Sequence, residues 1–136
     1  MILGIGLQGN IRKIGTAGDD LPNVQYTLAD PDEFNNETII VIGAGDAAIE
    51  NALALMKNNK VVLINRKDEF ARCKEGNLNQ ILAADRNEDL RIFYNTSTSA
   101  VEEIPEAKEG EPTLNYRYKG PEGEQAMPVH RIIARL

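Results

Sequence analysis

The sequence predicts an α/β domain, with a central parallel sheet of about four strands, helices on both sides and an antiparallel β-meander. Four observations carry this prediction. A continuous β-branched run, Thr38-Ile39-Ile40-Val41-Ile42, suits a strand buried on both faces. A glycine turn, Gly43-Ala44-Gly45, ends it. Apolar residues then recur at helical spacing, Ile49, Leu53 and Met56 at i, i+4 and i+7, with Ala48, Ala52 and Leu55 beside them. A second apolar run, Lys60-Val61-Val62-Leu63-Ile64, follows. Strand, glycine turn, helix over 47–58 and strand form one βαβ unit, for which a right-handed crossover is expected.

The other elements follow in order. Residues 1–7 are apolar and glycine-containing, as at the end of a buried strand. Residues 8–37 carry Gly15, Gly18, Pro22 and Pro31 and read as an extended linker, long for a structureless one. Leu78, Ile81 and Leu82 share a helical face over 77–85, and residues 90–94 make a third strand. Residues 99–104 and 113–119 read as antiparallel strands around an acidic loop at 105–112. Gly120-Pro121-Glu122-Gly123 is a turn, and residues 129–136 return as an apolar strand. The acidic residues between Glu102 and Glu124 form the solvated face of this meander.

Composition narrows the function. The chain has 136 residues, 42% hydrophobic and 26% charged, which is one globular domain. Its net charge of −6 argues against nucleic acid as a partner, because phosphate contacts need a basic patch. The lone cysteine, Cys73, excludes a disulfide framework, a Cys-x-x-Cys pair and a cysteine zinc site. A Ser-His-Asp or histidine–metal site would have to use the lone His130, so no metal ligand and no catalytic side chain is assigned. His130 reads as a partly buried structural residue. The neighbours Arg72 and Lys74 favour a lowered Cys73 pKa, but without a resolving partner the thiol reads as a bystander. No apolar run approaches eighteen residues and no basic segment precedes the apolar N-terminus, so the expected setting is the cytoplasm, away from membrane.

Two glycine motifs compete. The string Gly4-Ile5-Gly6-Leu7-Gln8-Gly9 fits G-x-G-x-x-G literally, but glycines and a proline break any helix after it, and without a helix N-terminus there is no anion site. The second copy, Gly43-Ala44-Gly45-Asp46-Ala47-Ala48, lies between a strand and an amphipathic helix, as a dinucleotide-binding turn requires. Gly43 allows the tight turn, Gly45 lets the backbone approach a pyrophosphate, and Ala48 lets the helix pack close. Asp46 is the expected helix cap. This makes the domain a Rossmann-like nucleotide-binding one. About 20 residues on, an NAD site places a carboxylate on the ribose 2′-OH. Here the strand tip is Asn65-Arg66-Lys67. A guanidinium forks onto a 2′-phosphate that a carboxylate would repel, so NADP(H) is favoured over NAD(H). Arg72 is a second candidate for that phosphate.

VIGAGDAAIENALAL followed by VVLINRKDEFAR resembles the pyridine-nucleotide-binding domain of the thioredoxin-reductase-like flavoproteins, in the pyridine nucleotide-disulfide oxidoreductase superfamily. The resemblance implies that Gly4-Ile5-Gly6 marks the crossing from an FAD domain and that residues 129–136 carry the chain back to it. It divides the chain into residues 1–37, linker and crossing strand from a missing FAD domain, and residues 38–136, the NAD(P)H-binding domain. The 136 residues then match a nucleotide domain inserted between two halves of a flavin domain. Glu50 matches the family's helix glutamate, which faces the nicotinamide. Thr27 and Asp30 stand where thioredoxin reductases carry the redox Cys-x-x-Cys, so no dithiol relay is expected, and the electron acceptor is something else. Asn65, Lys67 and Ala71 depart from the family's basic trio, with Arg72 one position on.

The expected function is to bind NAD(P)H and present it for hydride transfer to a flavin. FAD is expected in the full-length parent but not in this chain, which alone is an incomplete enzyme. A regulatory domain that senses NAD(P) without catalysis is the alternative. An S-adenosylmethionine-dependent methyltransferase would want an acid at the second strand tip, which Asn65-Arg66 does not supply.

Overall fold

Buried β-branched residues build the centre of the molecule. A computed structural model describes residues 13–136; the first glycine motif and the strand expected over 1–7 lie outside them. The elements are β1 (Val24–Gln25), a 3-10 turn (Pro31–Glu33), β2 (Thr38–Ile42), α1 (Asp46–Leu55), β3 (Lys60–Ile64), α2 (Glu75–Arg86), β4 (Arg91–Phe93), β5 (Ser97–Glu103), β6 (Leu114–Gly120), β7 (Gly123–Val129) and β8 (Arg131–Ala134). A parallel sheet has the order β1-β8-β2-β3-β4, and a second, antiparallel sheet has the order β5-β6-β7.

Why the central runs are hydrophobic throughout is visible in the packing. Successive residues of a strand face opposite sides, and both sides of this sheet are covered. Ile39 and Val41 of β2, with Val61 and Leu63 of β3, pack against α1 and α2 through Ile49, Leu55 and Ile81. Ile40, Ile42, Val62 and Ile64 pack against Leu114, Tyr116 and Val129 of the antiparallel sheet. Truncating one of these large buried side chains to Ala costs about 2–5 kcal/mol. The layers are therefore helices, parallel sheet, antiparallel sheet. Both helices share one face, where the sequence predicts helices on both; the antiparallel sheet takes the second face.

Three further differences have local causes. The sheet has five strands because Val24–Gln25 pairs in parallel with Ile132–Ile133. The stretch that its glycines and prolines mark as a linker is packed: Ile14, Leu21, Val24 and Tyr26 join one core, and Leu28 and Phe34 the other. The meander has a third strand, β7, that sequence reasoning passes over. It is a polar edge strand containing Pro128, and it pairs with β6 alone. The returning strand, β8, then leaves the meander and pairs in parallel with β2, Ile40 opposite Ile132. No helix among the described residues is long and apolar enough to cross a membrane.

Candidate dinucleotide site

Chain order runs outward from β2 in one direction through β3 and β4, and β8 returns on the other side of β2. That reversal leaves a crevice beyond the carboxyl ends of the strands, where open α/β sheets bind ligands. A cleft of about 770 Å³ lies there, lined by residues that include Ile42, Gly43, Ala44, Gly45, Asp46 and Ala47 from the β2–α1 turn. Asn65, Arg66 and Lys67 line it from the end of β3, and Arg72, Arg135 and Lys13 complete the basic wall.

Gly43 has φ +146°, a conformation that disfavours any side chain. A Cβ there would also overlap the Arg135 carbonyl oxygen and lie 2.8 Å from the Ala48 Cβ. Ala48 is fully buried beneath the turn. Gly43 and Ala48 thus let β2, β8 and α1 converge. Gly45 differs. A Cβ at Gly45 would meet nothing within 4 Å, so what it leaves clear is the cleft itself. Gly45 is the N-cap of α1 and offers no side-chain acceptor. The first N–H groups of the helix carry its positive dipole end and remain available to an anion. This turn fits a dinucleotide pyrophosphate.

The sequence predicts Asp46 as the helix cap, but it does not cap its own helix. It is the first residue of α1, and its Oδ1 accepts the Lys74 N–H at 2.8 Å and the Asn77 Nδ2–H at 2.8 Å. Lys74 is the N-cap of α2, so one carboxylate serves the start of the second helix. The Lys74 N–H, then the Asn77 amide, hold the Asp46 carboxyl below the usual carboxylate range.

Asn65 is buried, and its side chain is committed to the loop that follows. Oδ1 accepts the Lys67 N–H at 2.9 Å, and Nδ2 donates to the Glu69 carbonyl at 3.0 Å. The Asn95 N–H bonds the Lys67 carbonyl and the Thr96 N–H bonds the Asn65 carbonyl, which fixes the loop against the end of β4. Arg66, Lys67 and Arg72 are exposed on this loop. The ion pairs among the described residues, Arg117–Glu102 and Arg131–Glu37, involve none of the three. Five of the residues lining the cleft are Lys or Arg and two are Asp or Glu. A chain of net charge −6 is therefore locally basic at this cleft, which focuses an anion there.

Glu50 is not brought into the cleft. It is exposed on α1, and its Oε2 accepts from Asn77 Nδ2 at 3.0 Å. Among the lining residues that sequence reasoning missed are Lys13, Arg135 and Leu136, with Glu69 as an acidic one. Arg135 was findable, because it ends a strand that flanks the glycine strand once β8 is placed beside β2. The Cys73 thiol is pushed up by burial and by the nearby Asp46 carboxylate, opposite to the lowering expected from Arg72 and Lys74. His130 is structural, as expected: Nδ1 accepts the Thr38 N–H at 2.9 Å, and Nε2 lies 3.0 Å from the Gly110 carbonyl. No group of three His, Cys, Asp or Glu among the described residues is placed to hold a metal ion.

A family model for pyridine nucleotide-disulphide oxidoreductases matches residues 1–135. The chain belongs to this family. A ferredoxin–NADP reductase of Ignicoccus hospitalis is 28% identical over 137 residues, which take in all of this chain and 42% of that protein. Ferredoxin–NADP reductase 2 of Chloroherpeton thalassium is 30% identical over 111 residues, 82% of this chain and 31% of that protein. Among solved structures, a bacillithiol disulfide reductase from Bacillus cereus superposes with a TM-score of 0.81 at 16% identity, over 93% of this chain and 36% of the other. A thioredoxin reductase from Lactococcus lactis gives 0.75 at 21% identity, over 93% and 41%. These likenesses show that the α/β fold is shared. The chain spans less than half the length of each relative.

Proposed function

We propose that this chain is the NAD(P)H-binding domain of a flavoprotein oxidoreductase, with residues 38–136 carrying the nucleotide-binding elements and β1 before them completing the same sheet. The observation that carries the reading is the glycine turn. Gly45 keeps open the space in front of a helix N-terminus that no side chain caps. In this reading the turn from Gly43 to Ala48 takes the pyrophosphate on its free N–H groups. Asn65 shapes the loop, while Arg66, Lys67 and Arg72 engage the adenosine end. A 2′-phosphate there would take charge-assisted bonds worth about 1.5–3 kcal/mol each, which favours NADP(H). That two relatives are named ferredoxin–NADP reductases supports the same preference.

The nicotinamide supplies a hydride when the cofactor is bound, and a flavin held by the rest of the parent protein receives it. This chain's residues bind and orient the cofactor. Its single cysteine provides no dithiol relay, so the acceptor beyond the flavin lies outside this chain. Fluorescence titration with NADPH and NADH tests the assignment. Tighter binding of NADPH is expected. Equal affinity for both removes the 2′-phosphate role of the loop, and binding of neither overturns the reading.

A further inference from the structure

Asp46 sets a problem for anion binding. It lines the cleft directly after Gly45, at the helix end where a pyrophosphate would sit. A carboxylate there repels the ligand. Turned back on its own helix, it would also take the N–H groups that the ligand needs. The fold keeps it turned away. Its Oδ1 is held by the Lys74 N–H and the Asn77 amide, each at 2.8 Å. The same amide nitrogen bonds Glu50 at 3.0 Å. Asn77 thus holds two carboxylates, one helical turn apart on α1, against the start of α2. Like charges at this spacing repel, and neither has an ion-pair partner among the described residues.

We propose that Asn77 is a positioning residue for the dinucleotide: together with the Lys74 N–H it holds the Asp46 carboxylate on α2 and so keeps negative charge off the glycine turn. This rests on the nucleotide-binding reading above. Asn77 itself does not line the cleft, so it acts through Asp46.

The test is a fluorescence titration with NADPH of the wild-type chain and of N77A, D46N, D46N/N77A, E50Q and E50Q/N77A, with a thermal melt of each. N77A is expected to weaken binding about tenfold, or about 1.4 kcal/mol. D46N is expected to bind more tightly than wild type, because the repelling charge is gone while its Oδ1 still accepts the Lys74 N–H. D46N/N77A matches D46N, because no charge is left to release. The tenfold loss persists between E50Q and E50Q/N77A. An unchanged N77A overturns the proposal. So does an equal loss in the D46N background, which would show a packing defect, and so does a loss that vanishes only with E50Q. If the wild-type chain binds no NADPH, it is the nucleotide-binding reading that falls.

Discussion

The two ends of the parallel sheet are built from similar residues and do opposite things. At the amino end, polar side chains are spent on the protein itself. Asn59 donates to the Phe34 and Leu55 carbonyls, at 2.8 and 3.0 Å, and accepts the Glu37 N–H at 3.0 Å. Arg131 bonds Glu37, Gln25 and Asn23, and its guanidinium lies 3.9 Å over the Phe34 ring. His130 uses both ring nitrogens. At the carboxyl end, the α1 N-terminus has no side-chain cap, and Arg66, Lys67 and Arg72 stand exposed around an open cleft. A buried polar group must be satisfied within the fold. A binding group must be left free and held in place by something else, as Asn65 holds the loop of Arg66 and Lys67. The amino end fastens the sheet, and the carboxyl end is kept available.

That contrast breaks most severely at Gly43, where the open end is also tightly packed. G43V forces a branched side chain into positive φ and against the Arg135 carbonyl. Strain and overpacking together should cost about 3 kcal/mol or more, read as a lower melting temperature along with loss of binding. Next is N59A. It strands the Glu37 N–H and the Phe34 carbonyl in a part-buried setting, while the Leu55 carbonyl keeps the Asn58 N–H, and should cost about 1–3 kcal/mol. NADPH affinity measured well below the melting temperature should stay as in wild type. A loss of affinity in the folded N59A protein would join the two ends that the fold keeps apart. The smallest effect on stability belongs to R66A/K67A, within about 0.5 kcal/mol. Titration should show NADPH binding weakened at least tenfold and NADH binding little changed.

Much of this was legible in the chain, for physical reasons that differ by element. β2, α1 and β3 are plain because a strand buried on both faces must be apolar throughout and its turn must be glycine. The glycine turn follows from the same residues. β1 is two residues long and held by its pairing with β8, so no local pattern marks it. β7 is a polar edge strand, where propensity says little. Arg135 becomes a cleft residue through strand order, which periodicity does not encode. Asp46 and Cys73 show the limit of arguing from neighbours in sequence. Asp46 meets Lys74 and Asn77 across a gap of about thirty residues, and the thiol responds to burial and Asp46 rather than to adjacent cations.

Nucleotide is proposed to bind at the carboxyl end of the sheet and nowhere else on this domain. Amide chemical-shift mapping of the isotope-labelled chain with NADPH tests it most directly. Concentration-dependent shifts are expected at Gly43, Gly45, Ala47, Arg66 and Lys67, with Thr38, Asn59 and His130 unmoved. Shifts centred on those last three residues, or on the antiparallel sheet, would contradict it.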